Sequence, residues 1–346
     1  MRVDSIEIHR VAMPLVYPFR TATGDDDTIE SILVHMSSSD SSGWGETAAG
    51  QLPTYSGEWA AAVFLTVRDV LAPLLLGREI ASGEDLQQRL SHIKGNQFAK
   101  AALDSAWWDL YAGTRGEPLW KTLGGSGPTV DVGADFGIME TIESLLDTIG
   151  AAVESGFKRI KLKYRPGWDL EMISAVRAAF PETVFHVDCN SAYRLDDLLD
   201  HAELQRHIAT PICLDESITS VDKTRKAIAI GATRWVNIKY GRVGGVTNAR
   251  TIHDLCSDSG VPCWIGGMLE SAVGASHCLA LATLPNVRYP SDIFPSSRFY
   301  REDLAAPETT LSGPSQVTAH PGPGIGVRPR PEMLSRLTLE HAFLRA

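Results

Sequence analysis

Three things are scarce in this sequence: cysteine, long apolar runs and clustered positive charge. The five cysteines are scattered over 346 residues and never form a C-x-x-C pair, which argues against a disulfide framework or a zinc cluster and favours a reducing cytoplasm. No apolar run approaches the roughly 18 residues of a membrane span, and the charged segment MRVDSIEIHR lacks the apolar core of a signal peptide. We therefore expect a cytoplasmic protein with no membrane partner.

The charge balance is acidic and diffuse. The chain has 32 Lys+Arg against 42 Asp+Glu, a net charge of −10, and its basic residues form no block. No nucleic-acid partner is expected, because a nucleic-acid surface needs such a block. Apolar residues make up 44% of the chain and charged residues 21%, as is ordinary for a globular protein. This length predicts one large barrel with an added domain, or two domains.

The first part of the chain mixes strand and helix patterns. Residues Asp4–Ile8 alternate and Ile32–Val34 form a short apolar run, so both are predicted strands. Ser82 and Asp85 have the spacing of a capping box, and Gln97–Gly113 shows the clearest helical periodicity. This region is therefore predicted to be α+β.

From about residue 129, short apolar runs alternate with amphipathic helical stretches. The runs are Val130–Ile138, Arg159–Tyr164, Val184–Asn190, Ile212–Glu216, Trp235–Lys239, Cys263–Gly266 and Val287–Ile293. Such a rhythm predicts an α/β fold with a parallel sheet closed into a TIM-like (β/α) barrel. We place the barrel at residues 126–305, and a capping domain at residues 1–125 that the tail, residues 306–346, completes.

Charged residues end several of the predicted strands, although buried parallel strands are normally apolar. These residues are Lys161 and Lys163, then Asp188 and Asn190, then Asp215 and Glu216, and finally Lys239. Side chains two positions apart share a face of a strand, so these groups should converge at the carboxyl end of the barrel. By the same alternation Glu216 points away from Asp215 and is predicted to be a second-shell or structural group.

Together these groups predict a site for metal-assisted proton abstraction. The carboxylates would hold a hard cation such as Mg²⁺, which stabilises the oxyanion formed when a proton leaves the carbon next to a carboxylate. The lysines, with pKa values lowered by each other and by the metal, would exchange that proton.

Four segments in chain order resemble the strand motifs of the enolase superfamily, in its muconate-lactonizing-enzyme-like subgroup. They are Ile160-Lys161-Leu162-Lys163, Val187-Asp188-Cys189-Asn190, Leu214-Asp215-Glu216-Ser217 and the run from Asn237-Ile238-Lys239 to Gly245. Further matches are typical of the o-succinylbenzoate synthase / N-acylamino acid racemase group, among them Pro18-Phe19-Arg20-Thr21, Trp44-Gly45-Glu46, Pro53-Thr54-Tyr55, Gly266-Gly267-Met268-Leu269-Glu270-Ser271 and Ser291-Asp292-Ile293. The resemblance covers about residues 4–325.

The resemblance implies a reaction and roles for individual residues. Lys163 and Lys239 would be the acid/base pair on opposite faces of the substrate, and Asp188 and Asp215 would hold Mg²⁺. The substrate, a small carboxylate, would contact Lys161, Asn190, Phe19, Tyr55, Met268, Glu270 and Ile293. The reaction would be dehydration to o-succinylbenzoate, which belongs to menaquinone biosynthesis, or racemisation of N-acylamino acids, in a homo-oligomer. Another cycloisomerase or a dipeptide epimerase of the superfamily is an alternative, and Phe19, Tyr55 and Met268 also suit ordinary packing between domains.

One motif of the group is missing. The group carries a Glu-Gln-Pro strand, whose Glu is a metal ligand, between the strands that here hold Asp188 and Asp215. These two residues are only 27 positions apart, and residues 190–206 between them read as one helix and no strand. A further strand with its crossover needs a dozen or more extra residues. The barrel is therefore predicted to be one βα unit short, and a catalytically impaired or non-catalytic relative is the rival hypothesis.

Overall fold

The chain begins with an antiparallel sheet and a set of helices, which we call the cap. The computed structural model describes residues 1–21, 24–193 and 197–346. The elements of the cap are β1 (Ser5–Arg20), β2 (Asp25–Ser38), β3 (Ser41–Thr47), α1 (Ala60–Thr66), α2 (Ala72–Leu75), α3 (Gly83–Leu90), α4 (Gln97–Thr114) and α5 (Leu119–Thr122), with a π-turn at Val67–Leu71. The predicted strands are part of β1 and β2, which extend further, whereas β3 was not predicted.

Helix α4 lies against the cap sheet at very short range. Gly43 and Gly45 of β3 face it, and a Cβ on either would lie 2.2–2.4 Å from the backbone nitrogens of Leu110 and Ala106. Only glycine fits at that separation, because real Cβ atoms do not approach a backbone so closely. Helix α3 begins where the sequence predicted. There Ser82 Oγ accepts a hydrogen bond from the backbone amide of Asp85.

The barrel region follows with alternating strands and helices. Its elements are β4 (Thr129–Asp131), β5 (Ala134–Phe136), α6 (Ile142–Glu154), β6 (Arg159–Lys163), α7 (Leu170–Ala179), β7 (Val184–Asp188), α8 (Leu198–His207), β8 (Cys213–Leu214), α9 (Val221–Ala229), β9 (Trp235–Ile238), α10 (Tyr240–Val243), α11 (Val246–Asp258), β10 (Cys263–Ile265) and α12 (Ala272–Ala282). The parallel strands confirm the predicted α/β fold with an N-terminal cap.

The first and the last of the predicted barrel strands differ from what the structure shows. The run 130–138 is divided, because β4 pairs with the tail and only β5 joins the parallel strands. The last run, 287–293, forms isolated parallel bridges instead of a continuous strand, from Val287 to Cys263 and from Ser291 to Val132. These bridges connect β10 to the start of β5 and close that side of the barrel.

On the other side the parallel strands fall into two groups, β5-β6-β7 and β8-β9-β10. Among the described residues no strand pairing joins β7 to β8, and we call this interruption the strand gap. Val184 and Val187 of β7 are 50% and 38% exposed, unusual for a barrel strand, because no neighbour covers that edge. The segment between β7 and β8 holds α8 and no strand within its described part, and residues 194–196 lie outside the described residues.

The hydrophobic core is also divided into two clusters, one on each side of the strand gap. A small cluster fills the space between β5, β6 and helices α6 and α7, with Phe136, Ile149, Leu162 and Val176 among its members. A much larger cluster runs continuously from the cap sheet through α4 to β8, β9 and β10. The first half of the barrel therefore has its own apolar interior.

The tail packs against both regions. A 3₁₀ turn (Ser296–Arg298) and β11 (Ala305–Ala306) lead into it, and it contains β12 (Leu311–Gly313), β13 (Gln316–Thr318), β14 (Arg328–Pro329), α13 (Pro331–Leu337) and β15 (Thr338–Arg345). Strand β13 pairs with β4, whereas β15 pairs with β1 and becomes the outer strand of the cap sheet. No described helix is long and apolar enough to cross a membrane.

Candidate active site

Adjacent strands β6 and β7 bring a lysine and a carboxylate together. Lys163 is the direct register partner of Asp188, and its Nζ donates to Asp188 Oδ2 at 2.9 Å. Lys161 Nζ reaches the same oxygen at 3.0 Å. Both lysines point to one face because they are two positions apart on β6, as the alternation predicted.

Below this pair lies a buried network of charges. Lys161 Nζ also donates to Asp292 Oδ2 at 2.9 Å and lies 3.8 Å from Asp135 Oδ2. Arg159 Nη2 donates to the other Asp292 oxygen at 2.7 Å. Sequence reasoning assigned no role to Arg159, Asp135 or Asp292, although each is a charged residue in a predicted barrel strand, which is the signal that singled out Lys161.

The second lysine stands at the end of β9. Lys239 Nζ lies 3.2 Å from Asp215 Oδ2 and 3.4 Å from the hydroxyl of Tyr55 in the cap. Arg242 donates one short hydrogen bond to Asp215 Oδ1 and another, of 2.7 Å, to the Tyr55 hydroxyl. Asn237 Nδ2 donates to Asp215 at 2.7 Å. Arg242, which sequence reasoning missed, therefore fixes the carboxylate and the cap tyrosine together.

Neighbouring carboxylates decide the direction in which the pKa values of Lys239 and Lys161 are shifted. Burial alone would lower the pKa of Lys239, but Asp215 and Tyr55 outweigh it and the pKa is raised. Burial is likewise outweighed at Lys161, whose pKa is raised well above its usual value by Asp188, Asp292 and Asp135. Among the protein's own groups, the carboxylates at about 3 Å thus outweigh both burial and the neighbouring lysines. The predicted lowering includes the charge of a bound metal and stays a prediction.

A cavity of about 260 Å³ opens above the two lysines, between cap and barrel. Seven predicted site residues line it: Phe19, Tyr55, Lys161, Lys163, Asn190, Lys239 and Met268. Phe19 and Tyr55 hold their rings 5.6 Å and 5.0 Å from the ammonium groups of Lys163 and Lys239 respectively. The cavity therefore has a cationic floor and an aromatic roof.

Two predicted substrate residues stand behind the wall of the cavity. The Glu270 carboxylate accepts a hydrogen bond from the Met268 amide at 2.8 Å and so shapes the loop that lines it. Ile293 is only 2% exposed. Both line a second, smaller cavity next to Phe299.

Glu216 lies closer to the site than the alternation predicted. Strand β8 ends at Leu214, so the two-residue period no longer holds at Asp215 and Glu216. Asn190 Nδ2 donates to Glu216 Oε1 at 3.3 Å, which places this carboxylate on the site side. Burial raises the pKa of Glu216, and Asp215 and Asp188 raise it further. The prediction that Glu216 faces away from Asp215 was therefore wrong.

The oxygen donors here fit a hard divalent cation in kind. Asp188, Asp215 and Glu216 supply carboxylates, and Asn190 supplies a buried amide oxygen that has no hydrogen-bond partner. Oxygen ligands of this type are those that Mg²⁺ prefers. Among the described residues, however, the three carboxylates are not drawn within 4.8 Å of one another, so the donor set is more open than a closed ligand cage.

Another buried carboxylate joins cap to barrel. Glu46, at the end of β3, accepts hydrogen bonds from Ser271 N at 3.1 Å, Ser271 Oγ at 2.5 Å and Gly274 N at 2.9 Å. Despite these bonds, burial raises the pKa of Glu46 to about 7. Glu46 thereby positions the loop between β10 and α12, which carries Met268 over the cavity.

Two regions of the chain match the sequence patterns of known families. Residues 4–124 match the family described as the mandelate racemase / muconate lactonizing enzyme N-terminal domain. Residues 193–333 match the family described as enolase C-terminal domain-like. Together the two matches cover most of the cap, the second half of the barrel and much of the tail.

Similarity to individual proteins extends along the whole chain. The N-succinylamino acid racemase of Thermus thermophilus is 39% identical over 370 aligned positions that cover 100% of each chain. The o-succinylbenzoate synthase of Geobacillus kaustophilus is 41% identical, with 94% of each chain covered. A crystal structure of an enolase superfamily member from Listeria innocua has a TM-score of 0.95 at 32% identity, covering 100% of this chain and 99% of that one.

The Thermus alignment also bears on the length of the chain. Its 370 positions exceed the 346 residues present, so at least 24 positions lie opposite gaps in this chain. A strand with its crossover helix needs a dozen or more residues, so a difference of this size is consistent with the loss of one βα unit.

Proposed function

Because the chain belongs to the enolase superfamily, we propose that it abstracts the proton from the carbon next to a substrate carboxylate, with the help of a divalent metal. The product would be o-succinylbenzoate, formed by dehydration, or the opposite enantiomer of an N-succinylamino acid, or both. These are the activities named for the Geobacillus and Thermus relatives. The observation that carries the proposal is the cavity that both Lys163 and Lys239 line.

Lys163 and Lys239 are suited to serve opposite faces of the substrate. They come from separate sheet segments, β6 and the end of β9, and each is covered by its own aromatic ring of the cap. A racemase needs one acid/base group on each face, whereas a dehydratase needs one base and one partner for the leaving group. The same pair of lysines therefore suits both reactions.

The carboxylates control when a lysine can act. Lys239 can accept a proton only in its neutral form, and its contact with Asp215 holds it in the ammonium form. Asp188 accepts a hydrogen bond from Lys163 at 2.9 Å on the other side of the site. A divalent cation such as Mg²⁺, held by Asp188 and Asp215 with Asn190 or Glu216 beside them, would supply electrostatic stabilisation of the enolate oxygen.

Other residues position the substrate. Lys161, fixed by Asp188 and Asp292, presents a buried cation at the floor of the cavity for the substrate carboxylate. Phe19, Tyr55 and Met268 form the side of the cavity where the succinyl or side-chain portion would lie. Cytoplasmic localisation, a homo-oligomeric state and a place in menaquinone biosynthesis complete the proposal, the last only if the dehydration is the physiological reaction.

The strand gap favours a second candidate, a relative with impaired chemistry. Asp188 and Asp215 stand on the two sides of the gap, where no ladder of hydrogen bonds between described residues fixes their separation. Asn190 and Ser191, which follow β7, both have positive φ angles of 40° and 55°, a conformation that costs free energy for residues other than glycine. The ligand geometry is thus less constrained than a continuous barrel would make it.

Proton exchange separates the two candidates. N-succinylamino acids are incubated in D₂O with the protein and saturating Mg²⁺, and loss of the α-proton signal is followed by NMR. An active racemase exchanges the proton well above the blank, and racemisation is then scored on the same samples by chiral chromatography. Dehydration is assayed separately, by the absorbance of o-succinylbenzoate formed from its hydroxy-acid precursor. Exchange no faster than the blank over a panel of side chains, together with no dehydration of that precursor, would support the non-catalytic relative.

A further inference from the structure

A cluster of histidines lies on the cap sheet, far along the fold from the two lysines. Glu7 and His9 are on β1, His35 is on β2 and His341 is on β15. His9 is the direct register partner of His341, and Glu7 is that of His35. Side chains two apart on β1 share a face, so all four groups converge around the Glu7 carboxylate.

Three ligand atoms come close enough to share one ion. Glu7 Oε1 lies 3.4 Å from His9 Nε2 and 2.8 Å from His341 Nε2. Among the described residues, Glu7, His9 and His341 are the one set of three His, Cys, Asp or Glu whose ligand atoms all lie within 4.8 Å of one another. Tetrahedral zinc with ligands at about 2.0–2.1 Å separates its ligand atoms by roughly 3.3 Å, so small side-chain shifts would complete the geometry.

His9 presents an unpaired lone pair to this centre. The Thr338 hydroxyl donates to the Leu334 carbonyl at 2.6 Å, so its oxygen can only accept from His9 Nδ1, 3.3 Å away. The other nitrogen, Nε2, is then unprotonated in the neutral ring and has no hydrogen-bond partner, although His9 is only 8% exposed. It faces a carboxylate oxygen, and two acceptors face each other favourably only with a proton or a metal cation between them.

We propose that Glu7, His9 and His341 form a binding site for a divalent transition-metal ion of the Zn²⁺ type. Two imidazoles and a carboxylate are typical ligands of zinc, whereas Mg²⁺ prefers oxygen alone. Thr338 on His9 supplies the outer hydrogen bond that orients a metal-binding imidazole. His341, 47% exposed, leaves the fourth position open to water.

His35 supports the site from the other side of the carboxylate. Its Nδ1 lies 3.6 Å from Glu7 Oε2, and its ring stacks on Trp44 with a centroid distance of 4.4 Å and an interplanar angle of 15°. Stacking fixes the ring, and His35 thus holds the second oxygen while the first faces His9 and His341. A bound ion would tie β15 to β1 and so anchor the last strand of the cap sheet.

The test uses the full-length, tag-free, metal-stripped protein in excess Mg²⁺, titrated with Zn²⁺ by calorimetry and with Co²⁺ by visible absorption. We expect one equivalent of Zn²⁺ to bind with micromolar or tighter affinity, a Co²⁺ spectrum of four-coordinate intensity, and slower amide exchange in β15. His341→Ala should weaken binding at least about tenfold, as losing a metal contact does. His341 is half exposed, so this variant should keep the fold, which circular dichroism checks.

The control is His207→Ala, which removes an exposed histidine that pairs with a single carboxylate, Glu203, at 2.9 Å on α8. It should bind Zn²⁺ as the parent chain does. Three outcomes would contradict the proposed site. They are the absence of stoichiometric Zn²⁺ binding, equal Zn²⁺ affinity in the parent chain and in His341→Ala, and a loss of Zn²⁺ affinity in His207→Ala as large as that in His341→Ala. Because Mg²⁺ is in excess throughout and proton exchange is not the readout, these outcomes are independent of the function of the barrel.

Discussion

Asn190 Nδ2 and Glu216 Oε1 lie 3.3 Å apart and join the two sides of the strand gap. This contact connects the segment after β7 with the segment after β8, where a continuous barrel would have another strand. Both residues are next to the proposed metal ligands Asp188 and Asp215. If Asp188 and Asp215 hold a divalent cation as proposed, their separation depends on this side-chain contact, because no backbone ladder joins β7 to β8 among the described residues.

The first prediction concerns that affinity. We expect Mg²⁺ to bind with millimolar affinity or weaker, because two or three carboxylates across an open gap hold a hard cation less firmly than three in a closed cage. Isothermal calorimetry on the metal-stripped protein measures it. Micromolar binding that Glu216→Gln abolishes would show that Glu216 replaces the missing ligand, and would contradict the prediction.

Restoring the missing unit is the second prediction. Leu198 is the first residue of α8, so a strand–helix insertion carrying Glu-Gln-Pro belongs after that helix, in the loop between His207 and Cys213. We expect it to increase Mg²⁺ affinity at least about tenfold, since it supplies both a ligand and the backbone partner for β7 and β8. The matched control is the same insertion with Gln-Gln-Pro, which restores the strand without the carboxylate and should recover stability but little affinity.

The third prediction is that both lysines are required. Lys163→Ala should lower α-proton exchange of one substrate enantiomer at least about 100-fold, the usual contribution of a positioned acid/base group, and Lys239→Ala should do the same for the other enantiomer. Racemisation needs both lysines and should be lost in either variant. The α-proton signal in D₂O, followed separately for each substrate enantiomer, measures this. Lys226→Ala, at an exposed lysine paired with Asp222 on α9, is the control and should exchange normally. Near-normal exchange of both enantiomers in either site variant would rule out the two-base arrangement.

A fourth prediction separates lid function from packing at the roof of the cavity. Tyr55→Phe removes the hydroxyl that accepts from Arg242 at 2.7 Å, and Phe19→Ala removes the ring over Lys163. Both should change the ratio of kcat/KM between N-succinylamino acids of different side chains, because lid residues act on the bound state. Phe64→Ala, in the buried cap core, is the control and should lower Tm without changing that ratio. A lower Tm with an unchanged ratio of kcat/KM values in the Phe19 and Tyr55 variants would mean that these residues serve only to pack the cap against the barrel.

The fifth prediction is a pH dependence of stability. Burial raises the pKa of Glu46 to about 7 from a usual value of 4.5, so the folded state keeps a proton that the unfolded state has lost. The resulting stability is fully present below about pH 4.5 and is lost as pH rises through about 7. A shift of this size corresponds to about 3 kcal/mol for a fully buried group.

Glu46→Gln should flatten that slope, because an amide does not ionise. It should also lower stability at every pH, since its NH₂ group must face one of the donors of Ser271 or Gly274. Chemical denaturation at several pH values from about 5 to 8 measures both effects. Asp104→Asn is the control, because the pKa of Asp104 is raised to about 6, so the slope between about pH 6 and 7 should remain. A slope unchanged in Glu46→Gln would show that Glu46 does not titrate in this range.

The sequence was sufficient where one local rule decides the structure. The period of a strand places Lys161 and Lys163 on one face, and the length of the segment before Asp215 leaves no room for another strand. It was insufficient where a partner comes from elsewhere in the chain. Arg242 reaches Tyr55 of the cap, and Lys161 reaches Asp292 at 2.9 Å, which no spacing predicts.

One error has a clear physical origin. The position of Glu216 was derived from strand alternation, but β8 is only two residues long, and alternation ends with the strand. Distances in the folded chain matter in the same way for Lys239, whose nearest charge is the carboxylate of Asp215 at 3.2 Å.

Because the hydrophobic core is divided, one part of the molecule can unfold before the rest. The cluster around Phe136, Ile149, Leu162 and Val176 is separate from the one that includes the cap, so strands β5–β7 can open as a cooperative unit while the remainder stays folded. That unit carries Lys163 and Asp188, whereas Lys239 and Asp215 stay with the rest. Each local opening event would thus separate the acid/base pair, and inactivation on warming should precede the main unfolding transition.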